Sequence, residues 1–149
     1  LAIRYGREEF PADAIAFLRA HDIHGNVAAQ FEWGGYTLLH LGDAVRVFLD
    51  GRYEASYPPQ VMDDYFAFVA GEPGWSRVLD AYPTDVVLLD RGSSVIPLLD
   101  ARPDLVRVYA DPTAIVYVRR TPTNLAALAR LTAVAGAGPE ASRSPTLFP

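Results

Sequence analysis

Val86-Val87-Leu88-Leu89 is an unbroken apolar run that stops at Asp90, and no other stretch restricts the fold as strongly. A strand with one wet face alternates apolar and polar side chains. Four consecutive apolar residues before a polar stop instead indicate a strand buried on both faces. Further strands are expected at Val27–Phe31 and at Val45–Leu49 (VRVFL), the latter ending at the turn signal Asp50-Gly51. Leu105–Tyr109 and Ala114–Val118 flank Ala110-Asp111-Pro112-Thr113 and predict an antiparallel hairpin.

Helical patterns separate these strands. Pro11 suits a first helical position and Asp13 complements the dipole of that first turn. Ala14, Phe17, Leu18 and His21 recur at i, i+3, i+4 and i+7, with Gly25 expected as the C-terminal cap. Tyr36–Leu41 is expected to form a short helix ending at Gly42, after an interrupting turn at Trp33-Gly34-Gly35-Tyr36. Val61–Ala70 has helical spacing, Gly71–Gly74 breaks the chain, and Trp75, Val78, Leu79 and Tyr82 mark another amphipathic helix. A short helix over Val95–Ala101 and a weak one over Asn124–Thr132 complete the pattern.

Helices alternating with buried strands predict an α/β fold. The expected form is three-layer, with a mixed, mostly parallel sheet, helices on both faces and a C-terminal antiparallel hairpin. Length fits one domain over residues 1–122, with 123–149 a weak helix and a Gly, Pro, Ser and Ala-rich tail or linker. No internal repeat has a usable period.

Net charge is −5 and all 13 basic residues are arginine, which gives no electrostatic footprint for nucleic acid. The absence of cysteine excludes disulfides, thiolate nucleophiles and Cys-ligated zinc. No apolar run reaches the ~18 residues of a membrane helix. The start at Leu1, without an initiator Met or signal-peptide pattern, leads to the expectation of a fragment or processed chain.

Several residue groups carry candidate chemistry. Asp50, Asp90 and Asp111 each follow a strand, and carboxylates beyond strand ends can hold a hard cation or simply start turns and cap helices. In Asp50-Gly51-Arg52-Tyr53-Glu54 a glycine permits close backbone approach and the Arg52 guanidinium suits a phosphate, carboxylate or sugar ligand. Arg52 can equally pair with Asp50 or Glu54. Trp33, Tyr36, Tyr53 and Tyr57 offer faces for stacking on sugars or bases, or wedges for a core. His21, His24 and His40 lack a metalloprotease spacing, and Ser93-Ser94 lacks a nucleophile elbow. Gly34-Gly35 and Gly71/Gly74 match neither a P-loop nor a dinucleotide fingerprint, so no cofactor is expected.

The ordered set Phe10-Pro11, His24-Gly25-Asn26, Phe31-Glu32-Trp33-Gly34-Gly35-Tyr36 and Val47-Phe48-Leu49-Asp50-Gly51-Arg52 resembles the soluble C-terminal region of bacterial polytopic, glycosyltransferase-like (C-type) membrane proteins. Gly74-Trp75, Asp85–Leu89 and Val108–Asp111 extend the resemblance over most of Phe10–Arg120. More distantly, Trp33, a glycine and Tyr36 look like the W-W-D-Y-G motif that opens the soluble domain of oligosaccharyltransferase catalytic subunits. The resemblance implies an extracytoplasmic (periplasmic) domain on the bacterial inner membrane that supports or binds an acceptor or glycan and does not catalyse transfer alone. Its partners would be the membrane-embedded remainder of the same polypeptide and a glycan or peptide acceptor. Trp33, Gly34, Gly35, Tyr36, Asp50, Arg52 and Tyr53 would line the ligand site. The alternatives are a metal-dependent hydrolase or phosphatase using the three strand-end aspartates, and a purely structural interaction module.

Overall fold

The computed structural model describes residues 10–48 and 57–133. In chain order the elements are α1 (Ala12–Ala20), β1 (Gly25–Ala29), α2 (Gly34–Leu41), β2 (Val45–Val47), α3 (Pro59–Ala70), α4 (Arg77–Asp80), β3 (Val86–Asp90), α5 (Ile96–Asp100), β4 (Leu105–Ala110) and β5 (Ala114–Arg119). A final helix, α6, covers residues 125–133. Short 3₁₀ turns precede α2 and β2.

The five strands form one open mixed sheet in the order β2-β1-β3-β5-β4. β2–β1 and β1–β3 are parallel, whereas β3–β5 and β5–β4 are antiparallel. The expected predominance of parallel pairs is therefore not met. The cause is the hairpin, which brings β5 in beside β3 in the opposite sense and adds two antiparallel pairs. Of the edge strands, β2 has three residues and β4 is interrupted by a register shift between Arg107 and Tyr109. Short and bulged edges resist pairing with other chains.

Val86–Leu89 is fully buried and lies between β1 and β5, as the apolar run requires. Its alternate side chains enter two separate clusters. Val86 and Leu88 join Val27, Ala29, Val116 and Val118 under α1, α2 and α6, with Ala14, Leu18, Trp33 and Leu128. Val87 and Leu89 join Ala28, Ile115 and Tyr117 under α3, α4 and α5, with Phe68, Leu79 and Leu99. Period-2 geometry makes this division. Ala127 and Leu128 of α6 are part of the first cluster, so this helix is a component of the core.

Helix boundaries differ from the periodicity where local geometry intervenes. Pro11 is the cap of α1 and Ala12 its first residue. Gly25 does not cap that helix: Asp22, at φ 57°, supplies the left-handed residue, and Gly25 opens β1. Asp tolerates this conformation better than most L-residues. Trp33-Gly34-Gly35-Tyr36 is not a turn. Gly34 is helical (φ −58°, ψ −49°), and the 3₁₀ turn Phe31–Trp33 runs straight into α2. The strand expected over Val27–Phe31 accordingly begins earlier, at Gly25, and stops at Ala29. Only four residues of the segment from Trp75 to Tyr82 are α-helical.

At the amino end of the sheet, Asp104 accepts two hydrogen bonds from Arg102, both 2.8 Å, and one from Arg119 Nε at 2.9 Å. These donors, Arg102 first, hold its carboxyl at about 2, against the desolvation that opposes them. A depressed folded-state value stabilises above the ordinary carboxylate pKa and is lost as pH falls through the folded value. Full linkage would amount to roughly 2.5 kcal/mol, and partial solvent exposure reduces it to about 1 kcal/mol. The stability difference between wild type and Asp104→Asn, measured by urea unfolding, is therefore expected to hold near neutrality and shrink between about pH 4 and 2. A difference independent of pH would remove the ion-pair explanation.

Candidate functional site

The amino end of β1 is built by backbone clamps. Asn124 Nδ2 donates to His24 O at 2.7 Å, while its Oδ1 accepts from His24 N at 3.1 Å. Asp85 Oδ2 accepts from Asn26 N at 2.9 Å, and its Oδ1 accepts from Thr121 Oγ at 2.7 Å. These buried polar groups are saturated by the fold itself, and no described buried side-chain nitrogen or oxygen lacks a partner. The His24-Gly25-Asn26 segment is thus a structural joint.

The strand order reverses between β1 and β3, where open α/β sheets commonly bind ligands beyond the carboxyl ends. In this chain side chains close that position. Gln30 N donates to Leu88 O, Gln30 Oε1 accepts from Asp90 N, and Tyr65 OH donates to Ala29 O at 2.7 Å. Asp90 Oδ1 accepts from Gly92 N at 2.8 Å. Asp111 accepts from Thr113 N, Ala114 N and the Tyr109 hydroxyl. Both carboxylates therefore cap turns. Asp50, the third member of the expected cluster, lies outside the described residues. Among the described residues no three His, Asp or Glu side chains are grouped to hold a metal.

The aromatic-diglycine residues separate from any common site. Trp33 is 2% exposed and belongs to the first core cluster, with Thr37 Oγ donating to its carbonyl at 2.8 Å. Gly34 is also buried. Gly35 is exposed, and a Cβ there would meet nothing within 4 Å. Tyr36 is half-buried, stacked on Phe10 at 5.0 Å and tilted against His40 at 4.3 Å. Arg52 and Tyr53, like Asp50 and Gly51, lie outside the described residues.

A cleft of about 290 Å³ lies on the opposite face of the sheet, over β1 and β2. Asn26 and Arg46 are register partners on adjacent parallel strands, so their side chains leave the same face side by side. Phe48, two residues beyond Arg46, continues that face. Tyr57, Tyr82, Pro83 and Thr84 complete the walls.

Tyr82 is held from behind. Its ring meets Phe48 edge-on at 5.1 Å, and its hydroxyl donates to Asp64 Oδ2 at 2.8 Å. Asp64 is buried and also accepts from Gln60 Nε2 at 2.6 Å and Arg77 Nε at 2.9 Å. Burial alone would raise the Asp64 pKa, but the donors Tyr82, Arg77 and Gln60 outweigh it and hold the carboxyl below its ordinary value. Burial, then the bond to Asp64, raises the Tyr82 hydroxyl above the usual tyrosine value. Tyr82 is thus a protonated, fixed wall whose oxygen can still accept.

Tyr57 was legible in the sequence as a stacking candidate, but Asn26, Arg46, Phe48 and Tyr82 were not. For two of them a signal existed. In Val45-Arg46-Val47-Phe48 the arginine interrupts the apolar face that Phe48 continues, which puts a guanidinium beside an aromatic on one strand face.

No family model, curated protein or solved structure matches the chain. No helix among the described residues is long and apolar enough to cross a membrane.

Proposed function

We propose that the chain is a glycan- or acceptor-binding domain, not catalytic alone, belonging to a glycosyltransferase-like membrane protein on the periplasmic face of a bacterial inner membrane. The observation that carries the binding part is the cleft over β1 and β2, where Phe48, Tyr57 and Tyr82 surround Asn26 and Arg46. Sugar recognition needs apolar ring faces for C–H groups and a few fixed polar atoms for hydroxyls, and concave sites generally combine the two. The ordered residue set resembling the C-type family supports the wider setting. The remainder of the same polypeptide is then its partner. The finer three-layer description of the fold is supported by the two buried clusters on opposite sheet faces.

Titration of the ¹⁵N-labelled chain with hexose oligosaccharides and with Ser/Thr-containing peptides tests the binding reading. Shifts of the Asn26, Arg46, Phe48 and Tyr82 amides are expected with the oligosaccharides. Unchanged cleft resonances with every ligand would end the proposal. Protease added to spheroplasts of cells making the full parent protein tests the location, since a domain inaccessible from outside would contradict it.

A second reading, a structural interaction module, is favoured by the burial of Trp33. It explains the aromatic-diglycine segment as packing, and it leaves the cleft without a role.

A further inference from the structure

We infer that the cleft over β1 and β2 takes an anionic sugar, a hexose bearing a carboxylate or phosphate, with the anion on Arg46 and the ring against the aromatic walls. This rests on the glycan-binding reading and goes beyond it by naming the ligand's charge. Arg46 is the one charged side chain among the described residues that line the cleft, in a chain whose net charge is −5. A guanidinium forms a planar fork that matches two oxygens of a carboxylate or phosphate.

The polar groups around it are arranged to receive such a ligand. Asn26 sits directly across the β1–β2 pairing from Arg46, and its Nδ2 donates to Pro83 O at 2.7 Å. That bond orients the amide and leaves Oδ1 as an acceptor for a hydroxyl. Tyr82 is fixed by Asp64, so its ring needs no ordering when a ligand arrives. The cleft volume, about 290 Å³, lies at the lower end of small-molecule sites and suits a single substituted hexose.

The test is calorimetric titration of the full chain and of Arg46→Ala and Arg46→Lys with glucuronate, glucose 6-phosphate, glucose and inorganic phosphate. Arg46 is exposed on the short edge strand, and equal thermal unfolding of the variants will show that the fold is intact. One or both anionic sugars are expected to bind wild type about tenfold tighter than glucose, a charge-assisted difference. Arg46→Ala is expected to abolish that preference, and Arg46→Lys to retain part of it. The glucuronate and glucose 6-phosphate arms separate a carboxylate ligand from a phosphate one. Equal affinity for glucose and both anionic sugars, or a preference that survives Arg46→Ala, overturns this inference and leaves glycan binding standing. Inorganic phosphate binding as tightly as glucose 6-phosphate also overturns it, because the sugar would contribute nothing. Failure of every sugar to bind overturns both.

Discussion

Gly25→Ala is expected to destabilise the fold by on the order of 3 kcal/mol or more, among the largest effects of any single methyl added to this chain. Gly25 has φ 109°, a conformation costly for an L-residue. A Cβ built there would lie 2.4 Å from Asp85 Oδ2 and 2.9 Å from its Cγ. Asp85 cannot swing aside freely. Its two carboxylate oxygens hold Asn26 N and Thr121 Oγ, while its backbone bonds Asn26 O and Arg119 N. Urea unfolding of wild type, Gly25→Ala, Asp85→Ala and the double variant separates the two causes. In the Asp85→Ala background the cost of Gly25→Ala should fall to the conformational part, about 1–2 kcal/mol. A cost below ~1 kcal/mol in the wild-type background would show that the clamp is not rigid.

The second large effect concerns Trp33. Trp33→Ala is expected to cost about 4 kcal/mol, because the ring is buried in the first core cluster and its removal leaves a cavity there. Trp33→Phe should cost substantially less, since part of the volume remains. The functional meaning lies in the comparison with Arg46→Ala. If Trp33 contacts an acceptor, as its place in the motif suggests, Trp33→Ala should impair binding while leaving the midpoint of unfolding unchanged. Burial at 2% exposure predicts the reverse: a large fall in the unfolding midpoint, and unaltered sugar affinity in whatever fraction remains folded. Selective loss of binding at full stability would return Trp33 to the ligand site.

Both expectations concern residues in the family-like motifs, His24-Gly25-Asn26 and Trp33-Gly34-Gly35-Tyr36, and in both the structure supplies a packing cause. Gly25 is required by a left-handed backbone beside a pinned carboxylate. The diglycine of Gly34-Gly35 lies within a continuous helical entry, where one glycine is buried and the other open to solvent. The cleft at β1–β2 brings aromatic faces and a cation together in a concave surface, and of those two motifs it takes Asn26 alone.

The signals readable before the chain folds are local or periodic. The apolar run Val86–Leu89 announced a doubly buried strand, the spacing of Ala14, Phe17 and Leu18 a helix, and Asp111-Pro112-Thr113 a hairpin, because each signal is contained within a few bonded residues. The mixed α/β class followed from their order. Tertiary structure alone decided the balance of parallel and antiparallel pairs, since nothing local states which strand β5 will join. It alone decided that Trp33 faces the core and that Gly25 must avoid Asp85, 60 residues away in the chain. It alone set Arg46 beside Asn26 and fixed Tyr82 with Asp64. Such contacts arise between segments distant in sequence, and their energies appear only once the chain has closed on itself.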